Sequence, residues 1–415
     1  MSLVRSKREW YPTPPFADFP YEEHMRRKNR VQELMKEKEV DCLVLWNRKN
    51  IRYFTGFQTI HWELQSIQSA VYVIPVEGEP VLIVPQLLQG NAEGLTWVKD
   101  IRALVNPHQP KNQRALPVLV ADIVKELGYG KKNVALEMGP LGTMSIPRPL
   151  NDIRAFENAL SDANFVNGDE VIWGCRMIKS TLEVERIKKA VDAVSAIHSA
   201  VVEEYRPGMT DVDVNNIIHL AAARQEGNHL GDDVIGCSGH IICGLKKEYM
   251  ADIMGVEGAP ITKDGYIQTD FMFSYKGYSP DQARIFQVGP VTDEVMKCYE
   301  LIWENEDRAA EILKPGVTAR DLFEAMYKGI EHPLDMGGHG TGLDCHEPPS
   351  IDAWNEMEIK EGMVLSMEPW IFTSFKRDGG SGLFGVQDQY VVTADGNYKL
   401  EGFPREVIKV SHPNT

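Results

Sequence analysis

The chain has 415 residues, 43% hydrophobic and 25% charged, the composition of an ordinary globular protein with room for two or more domains, which excludes a fibrous or largely disordered chain. Lys plus Arg number 44 against 60 Asp plus Glu, and the resulting net charge of −16 has the wrong sign for gripping a nucleic-acid backbone or an anionic membrane surface. No window approaches the roughly 18 consecutive apolar residues of a membrane span, the start MSLVRSKREWYPTPPF lacks a signal peptide's apolar core, and the six cysteines show no CxxC spacing; the expectation is a cytoplasmic protein with reduced thiols.

In chain order, residues 1–20 interleave Pro12, Pro14, Pro15 and Pro20 with Trp10, Tyr11, Phe16 and Phe19. That pattern reads as an extended arm able to reach a partner subunit rather than a packed element. Helical periodicity follows from Tyr21 to Lys38, then a buried strand at 41–46, with NIRYFTGF read as a strand end plus loop. Two apolar runs, SAVYVIP and PVLIVP, flank Val76-Glu77-Gly78-Glu79 as a hairpin, and a helix over 116–127 precedes a strand at 133–138. Strands alternating with helices predict an α/β domain over 21–168. The second domain, 169–415, opens with a long amphipathic helix started by Ser180, Thr181 and Glu183. Its helix end Pro207-Gly208-Met209-Thr210 recurs 108 residues later as Pro315-Gly316-Val317-Thr318, each followed by another helix. Two such units predict a domain of two pseudo-symmetric halves with a cleft between them.

Three segments carry groups suited to a divalent metal. In IQTDFMFSYKGYSPDQARIF, a hairpin turning at Lys276-Gly277 can bring Asp270 and Asp281 to one side, although two aspartates in a hairpin are also ordinary turn and edge residues. In DMGGHGTGLDCHEPPSI, Gly337, Gly338, Gly340 and Gly342 let the backbone come close to a ligand, with His339 among them and His346 seven residues on. One imidazole can be a ligand and the other a proton shuttle or oxyanion donor. Glu368 interrupts the apolar strand EGMVLSMEPWIF, where a buried carboxylate must pair with a cation, from a salt bridge or a metal.

Asp270, Asp281, His339 and Glu368, with the HGxGxxxHE pattern from His339 to Glu347, resemble the pita-bread metallopeptidase superfamily: methionine aminopeptidase, Xaa-Pro aminopeptidase, prolidase and non-peptidase relatives such as creatinase. NIRYFTGF and RMIKSTLEVERIKKA are similar to the two-domain members. The resemblance implies a creatinase/prolidase-like α/β N-terminal domain and an α+β pita-bread C-terminal domain with pseudo-two-fold symmetry, in a homodimer. It also implies one or two divalent ions (Mn, Fe, Co or Zn), with Asp270 a terminal ligand, Asp281 a bridging ligand, and His339 and Glu368 ligands of the second ion. His346 would contact the substrate carbonyl or developing oxyanion, and Glu368 would take a proton from the attacking water. Arg52, His61, Trp62 and Trp370 are candidates for the pocket edge of a small charged substrate, each with ordinary packing as its other reading.

Two departures from the pattern stand out. The fifth ligand of dinuclear members, a Glu directly before an Asp, is Gln387 before Asp388; an amide offers one neutral oxygen and bridges two cations poorly. Asp388 is a poor substitute, since neighbouring strand residues point to opposite faces. The leaving-group histidine of such peptidases has His240 as its one candidate, in a stretch that looks too long after it, and a structural histidine is an equal reading. Three functions fit: an Xaa-Pro dipeptidase-like hydrolase of an amide or related C–N bond in a dipeptide or small metabolite; a creatinase-like enzyme or a lyase of a small zwitterion, such as the dimethylsulfoniopropionate-cleaving members; and an inactive binding module. Creatinase lacks the aspartate pair present here, and the acidic charge disfavours a module of nucleic-acid machinery.

Overall fold

The structure, a computed structural model, describes residues 2–62, 70–105, 115–139, 150–226, 237–243, 261, 266–289, 293–330, 333–374 and 381–410. Contacts divide the chain into two compact units, Met1–Arg176 and Met177–Thr415. Among the described residues no helix is long and apolar enough to cross a membrane.

The first unit is built on a seven-stranded mixed sheet: β1 (Ser2–Arg5), β2 (Cys42–Leu45), β3 (Val71–Pro75), β4 (Val81–Pro85), β5 (Asp100–Val105), β6 (Asn133–Leu136) and β7 (Asn164–Asn167), in the order β1-β5-β4-β3-β2-β6-β7. Its helices are α1 (Tyr21–Glu37), α2 (Arg48–Thr55), α3 (Gln89–Leu95), α4 (Leu116–Glu126), α5 (Leu150–Ala159) and α6 (Asp169–Arg176). Val44, Val73, Ile83 and Val134 of the strands pack with Val120, Ile123 and Phe156 of the helices, each side chain worth about 1.5–3 kcal/mol when buried.

Three sequence expectations change here. The arm is a packed element at its start: β1 pairs antiparallel with β5, and Trp10 Nε1 donates to Trp97 O at 2.7 Å. NIRYFTGF is helical rather than strand-like. Asn47 caps α2 by accepting from Lys49 N at 2.8 Å, and Gly56 ends it at φ +75°. The helix Asp169–Arg176 packs with the first unit, not the second: Arg176 Nη1 donates to Asn50 Oδ1 at 2.7 Å and Tyr53 Oη to Cys175 O at 3.0 Å.

In the second unit α7 (Thr181–Glu204) starts at a capping box between Ser180 and Glu183. The repeat in the sequence has a structural counterpart. Thr210 caps α8 (Asp211–Ala223) reciprocally with Asp213, Thr318 caps α10 (Ala319–Met326) reciprocally with Asp321, and the preceding Gly208 and Gly316 have φ of +94° and +96°. α7 and α8 share a core with a four-stranded sheet, β8 (Cys237–Cys243), β9 (Tyr266–Phe273), β10 (Asp281–Gln287) and β18 (Ile408–Lys409). α9 (Asp293–Ile312) and α10 share another with β11 (Gly338–Gly340), β12 (Glu347–Ile351), β13 (Val364–Met367) and β16 (Asp388–Val392), whose sheet β17 (Asn397–Lys399) completes. β14 (Trp370–Ser374) and β15 (Ser381–Gly385) form a separate ribbon.

In the first unit Glu23 is buried, yet Arg26 and Arg27, each donating through Nε at 2.8 Å, overcome that desolvation and hold its carboxyl at about 2. A folded-state value below the unfolded one stabilises above the unfolded value of about 4.3 and is lost as pH falls through the folded value. Glu23→Gln is therefore expected to lower stability at pH 7, with the gap to wild type closing between about pH 5 and pH 2; a gap constant across that range in urea melts would refute the assignment.

Candidate metal centre

The site is assembled where the two halves of the second unit meet. Asp270 lies opposite Ala283 in the β9–β10 register, and Asp281 is two residues along from Ala283, so strand alternation puts both carboxylates on one face. The other half supplies His339 from the centre of β11, His346 from the turn into β12, Glu368 from the step between β13 and β14, and Gln387 from the residue before β16.

β11 is squeezed between β12 and β13. A Cβ on Gly338 would stand 2.2 Å from Ser366 O, and one on Gly342 2.7 Å from the Glu347 carboxylate. The glycines thus admit neighbouring protein rather than a ligand, correcting the sequence expectation. His339 is 1% exposed, and its Nδ1 lies 2.9 Å from Gly340 O. That carbonyl assigns the ring proton to Nδ1 and leaves the Nε2 lone pair facing the carboxylates.

His339 Nε2 is 3.5 Å from Glu368 Oε1 and 3.8 Å from Asp281 Oδ2, and His346 Nε2 is 3.9 Å from the same Asp281 oxygen. The two imidazole centroids are 4.1 Å apart. These separations exceed hydrogen-bond length. Asp281 Oδ1, His339 Nε2, Glu368 Oε1 and Gln387 Oε1 are buried without a hydrogen-bond partner. Buried polar atoms are rarely left so, and oxygen and imidazole donors converging in this way fit a divalent cation.

The electrostatics point the same way. Desolvation, then the neighbouring Asp281, push Asp270 well above the usual carboxylate range. Desolvation and Asp281 raise Glu368 to about 7. Burial lowers His339, and burial with the His339 ring beside it lowers His346. Neutral imidazoles and crowded acids are the state that a cation completes.

Of the remaining predicted residues, Gln387 turns its amide nitrogen to Glu368 Oε2, making it a hydrogen-bond donor there. Asp388 is committed to a buried ion pair with Arg284. Trp370 stands beside the site, its indole donating to Glu368 and its backbone N donating to Tyr327 Oη at 3.1 Å. Arg52, His61 and Trp62 belong to the first unit, where Arg52 Nε is 3.4 Å from Asp18 and Trp62 packs edge-on against Phe57. His240 lies directly opposite Asp270 in the β8–β9 register; the long stretch that follows it, at 244–260, lies outside the described residues.

Sequence reasoning missed the support of the histidine loop. Lys179 Nζ and Glu347 Oε2 form an ion pair at 3.0 Å with both side chains 1% exposed. Glu347 also accepts from Asp344 N at 3.2 Å, so its carboxylate anchors the turn that presents His346. A lysine just ahead of a helix cap was the available signal.

Two family profiles match this chain: Metallopeptidase family M24 over residues 185–394 and the Creatinase/Prolidase N-terminal domain over 27–178. The chain belongs to metallopeptidase family M24. Among the relatives of this M24 protein is the Xaa-Pro dipeptidase of Pyrococcus furiosus, 26% identical over 391 residues that cover 92% of this chain and all of that one. Among solved structures, the prolidase of Thermococcus sibiricus superposes with a TM-score of 0.77 at 22% identity, over 93% of this chain and 99% of that one. The Xaa-Pro dipeptidase from Bacillus anthracis gives 0.76 at 23% identity, with the same coverage. The two-domain fold implied by the sequence resemblance is the fold found.

Lys179→Met removes the buried ion-pair partner of Glu347 and is expected to destabilise the protein by up to about 3–5 kcal/mol. The double variant Lys179→Met/Glu347→Gln should recover part of that loss in denaturant titrations, and an unchanged midpoint for the single variant would refute an anchoring role.

Proposed function

We propose that this M24 protein is a metal-dependent hydrolase of an amide or related C–N bond in an Xaa-Pro dipeptide or similarly small substrate. The observation that carries this reading is the close grouping of Asp281, His339 and His346, with Glu368 Oε1 3.5 Å from His339 Nε2 and both of those atoms buried without a hydrogen-bond partner. A divalent cation bound there, one of Mn, Fe, Co or Zn, would polarise the scissile carbonyl and acidify a water. Asp281, His339 and Glu368 would hold it. Glu368, oriented by the Trp370 indole and raised towards neutral pH, takes the proton of the attacking water. Asp270 and Asp281 fix the negative field of the site, and His240, opposite Asp270 in register, is the candidate to hand a proton to the leaving amine. Arg52, His61, Trp62 and Trp370 remain the candidates to edge the substrate. The enzyme is taken to act as a cytoplasmic homodimer.

Gln387 favours a second reading. Its amide replaces a carboxylate and bonds to Glu368, which suits a non-peptidase reaction on a small amide or zwitterion. A panel of Xaa-Pro dipeptides and small amides, assayed after chelation and metal re-addition, separates the two, and failure of every Xaa-Pro peptide would overturn the first.

Asp281→Asn should strip metal with the fold intact. Glu368→Gln should cut turnover by about 10²–10⁴-fold. Wild-type turnover in Glu368→Gln would remove Glu368 from the proton transfer.

A further inference from the structure

Resting on the amide-hydrolase reading above, we infer that Trp370 sets the class of leaving amine: the flank it walls takes a compact amine without a negative charge and turns away one that carries a carboxylate.

His240, Asp270 and Ala283 stand in one row across β8, β9 and β10, and the proton transfer proposed for His240 puts the leaving amine along that row. Trp370 continues it. Its side chain packs with Ala283 and Leu334 and is 8% exposed. The indole donates to Glu368, and the backbone N donates to Tyr327 Oη at 3.1 Å, so the residue is fixed at both ends. On the neighbouring strand Trp370 pairs with Gly385, where a Cβ would run into the indole ring. Gly385 is held in turn by one buried amide: Gln268 Nε2 donates to its carbonyl at 3.0 Å, and its N donates to Gln268 Oε1 at 3.3 Å. A large ring laid on a glycine that is held through both backbone groups has little slack for repacking, so bulk added to the substrate on this flank meets a rigid surface.

Charge narrows the class further. The indole N–H is already bonded to Glu368, which leaves apolar ring surface for a substrate. An anionic substituent against that ring would lie beside Asp270 and Glu368. The basic side chains that these strands and their supports carry are engaged elsewhere: Arg284, on the opposite face of β10 from Ala283, with Asp388, Arg405 with Glu306, and Lys179 with Glu347. A carboxylate desolvated there without a counter-charge is disfavoured.

The test uses matched pairs on the full chain loaded with Mn²⁺: turnover of Gly-Pro against its C-terminal amide, and calorimetric binding of proline against prolinamide. The carboxylate-free member of each pair is expected to be favoured by at least about 10-fold. Trp370→Ala should raise kcat/KM for the bulky Gly-Pro anilide relative to the amide by a similar factor, and Trp370→Phe should raise it less. Both variants lose the bond to Glu368, so a graded ratio reports size rather than that bond. Equal values within the pairs, a preference for Gly-Pro or proline, no binding of prolinamide, or an unmoved anilide ratio in folded Trp370→Ala would overturn the inference. The wild-type pairs decide the matter where neither variant folds. Tighter binding of prolinamide with no peptide cleaved would sink the proposed activity alone, and cleavage of Gly-Pro in preference to its amide would sink this inference alone.

Discussion

The constraint on which the second unit depends is the cost of keeping Asp270, Asp281 and Glu368 together away from water. Desolvating a carboxylate costs several kcal/mol per ion even after relaxation, and each of these charges opposes the next, as the upward shifts of Asp270 and Glu368 record. Such a cluster persists where the surrounding fold over-determines it. The neutral imidazole of His339, its tautomer fixed by Gly340 O, supplies a lone pair without adding a counter-charge.

The restraints come in two kinds. Uncharged amides stitch the strands: Gln268 Nε2 donates to Gly385 O at 3.0 Å, and Gln389 donates to the Asp281 carbonyl and to Ser366 Oγ. Paired charges lock the margins, with Arg284 bound to Asp388 and to the Gln387 carbonyl, and Lys179 bound to Glu347 beneath the histidine turn. An amide can be buried among the candidate ligands without adding a net charge, whereas a cationic side chain there would compete with a metal ion. The arginine and lysine accordingly spend their charge on Asp388 and Glu347 rather than on the ligand cluster.

Much of this was legible before any coordinates, for physical reasons that differ by element. The Thr210 and Thr318 caps are local devices, so the two-half organisation could be read from the PGxT repeat. The hairpin bearing Asp270 and Asp281 was legible because its turn residues, Lys276 and Gly277, take positive φ. The segment after Asn47 misled because its β-branched and aromatic residues favour a strand, while a single side-chain cap decided for helix. The ion pair Lys179–Glu347 and the amide contact from Gln387 join residues 168 and 19 positions apart and leave no periodic trace. His240 was ambiguous by residue counting, and register settles its neighbour, since a strand pairing is insensitive to the length of the connection that follows.

The short strand β1 carries a consequence for handling rather than for chemistry. It covers the outer edge of β5, whose Ile101, Ala103 and Leu104 are buried, and Arg5 meets Asp100 at 2.9 Å at its end. Unpaired edges of apolar strands recruit other strands, and short, charged strands blunt them. A chain trimmed of its first few residues would keep every candidate metal ligand and still uncover the edge of β5, the kind of edge that recruits other strands.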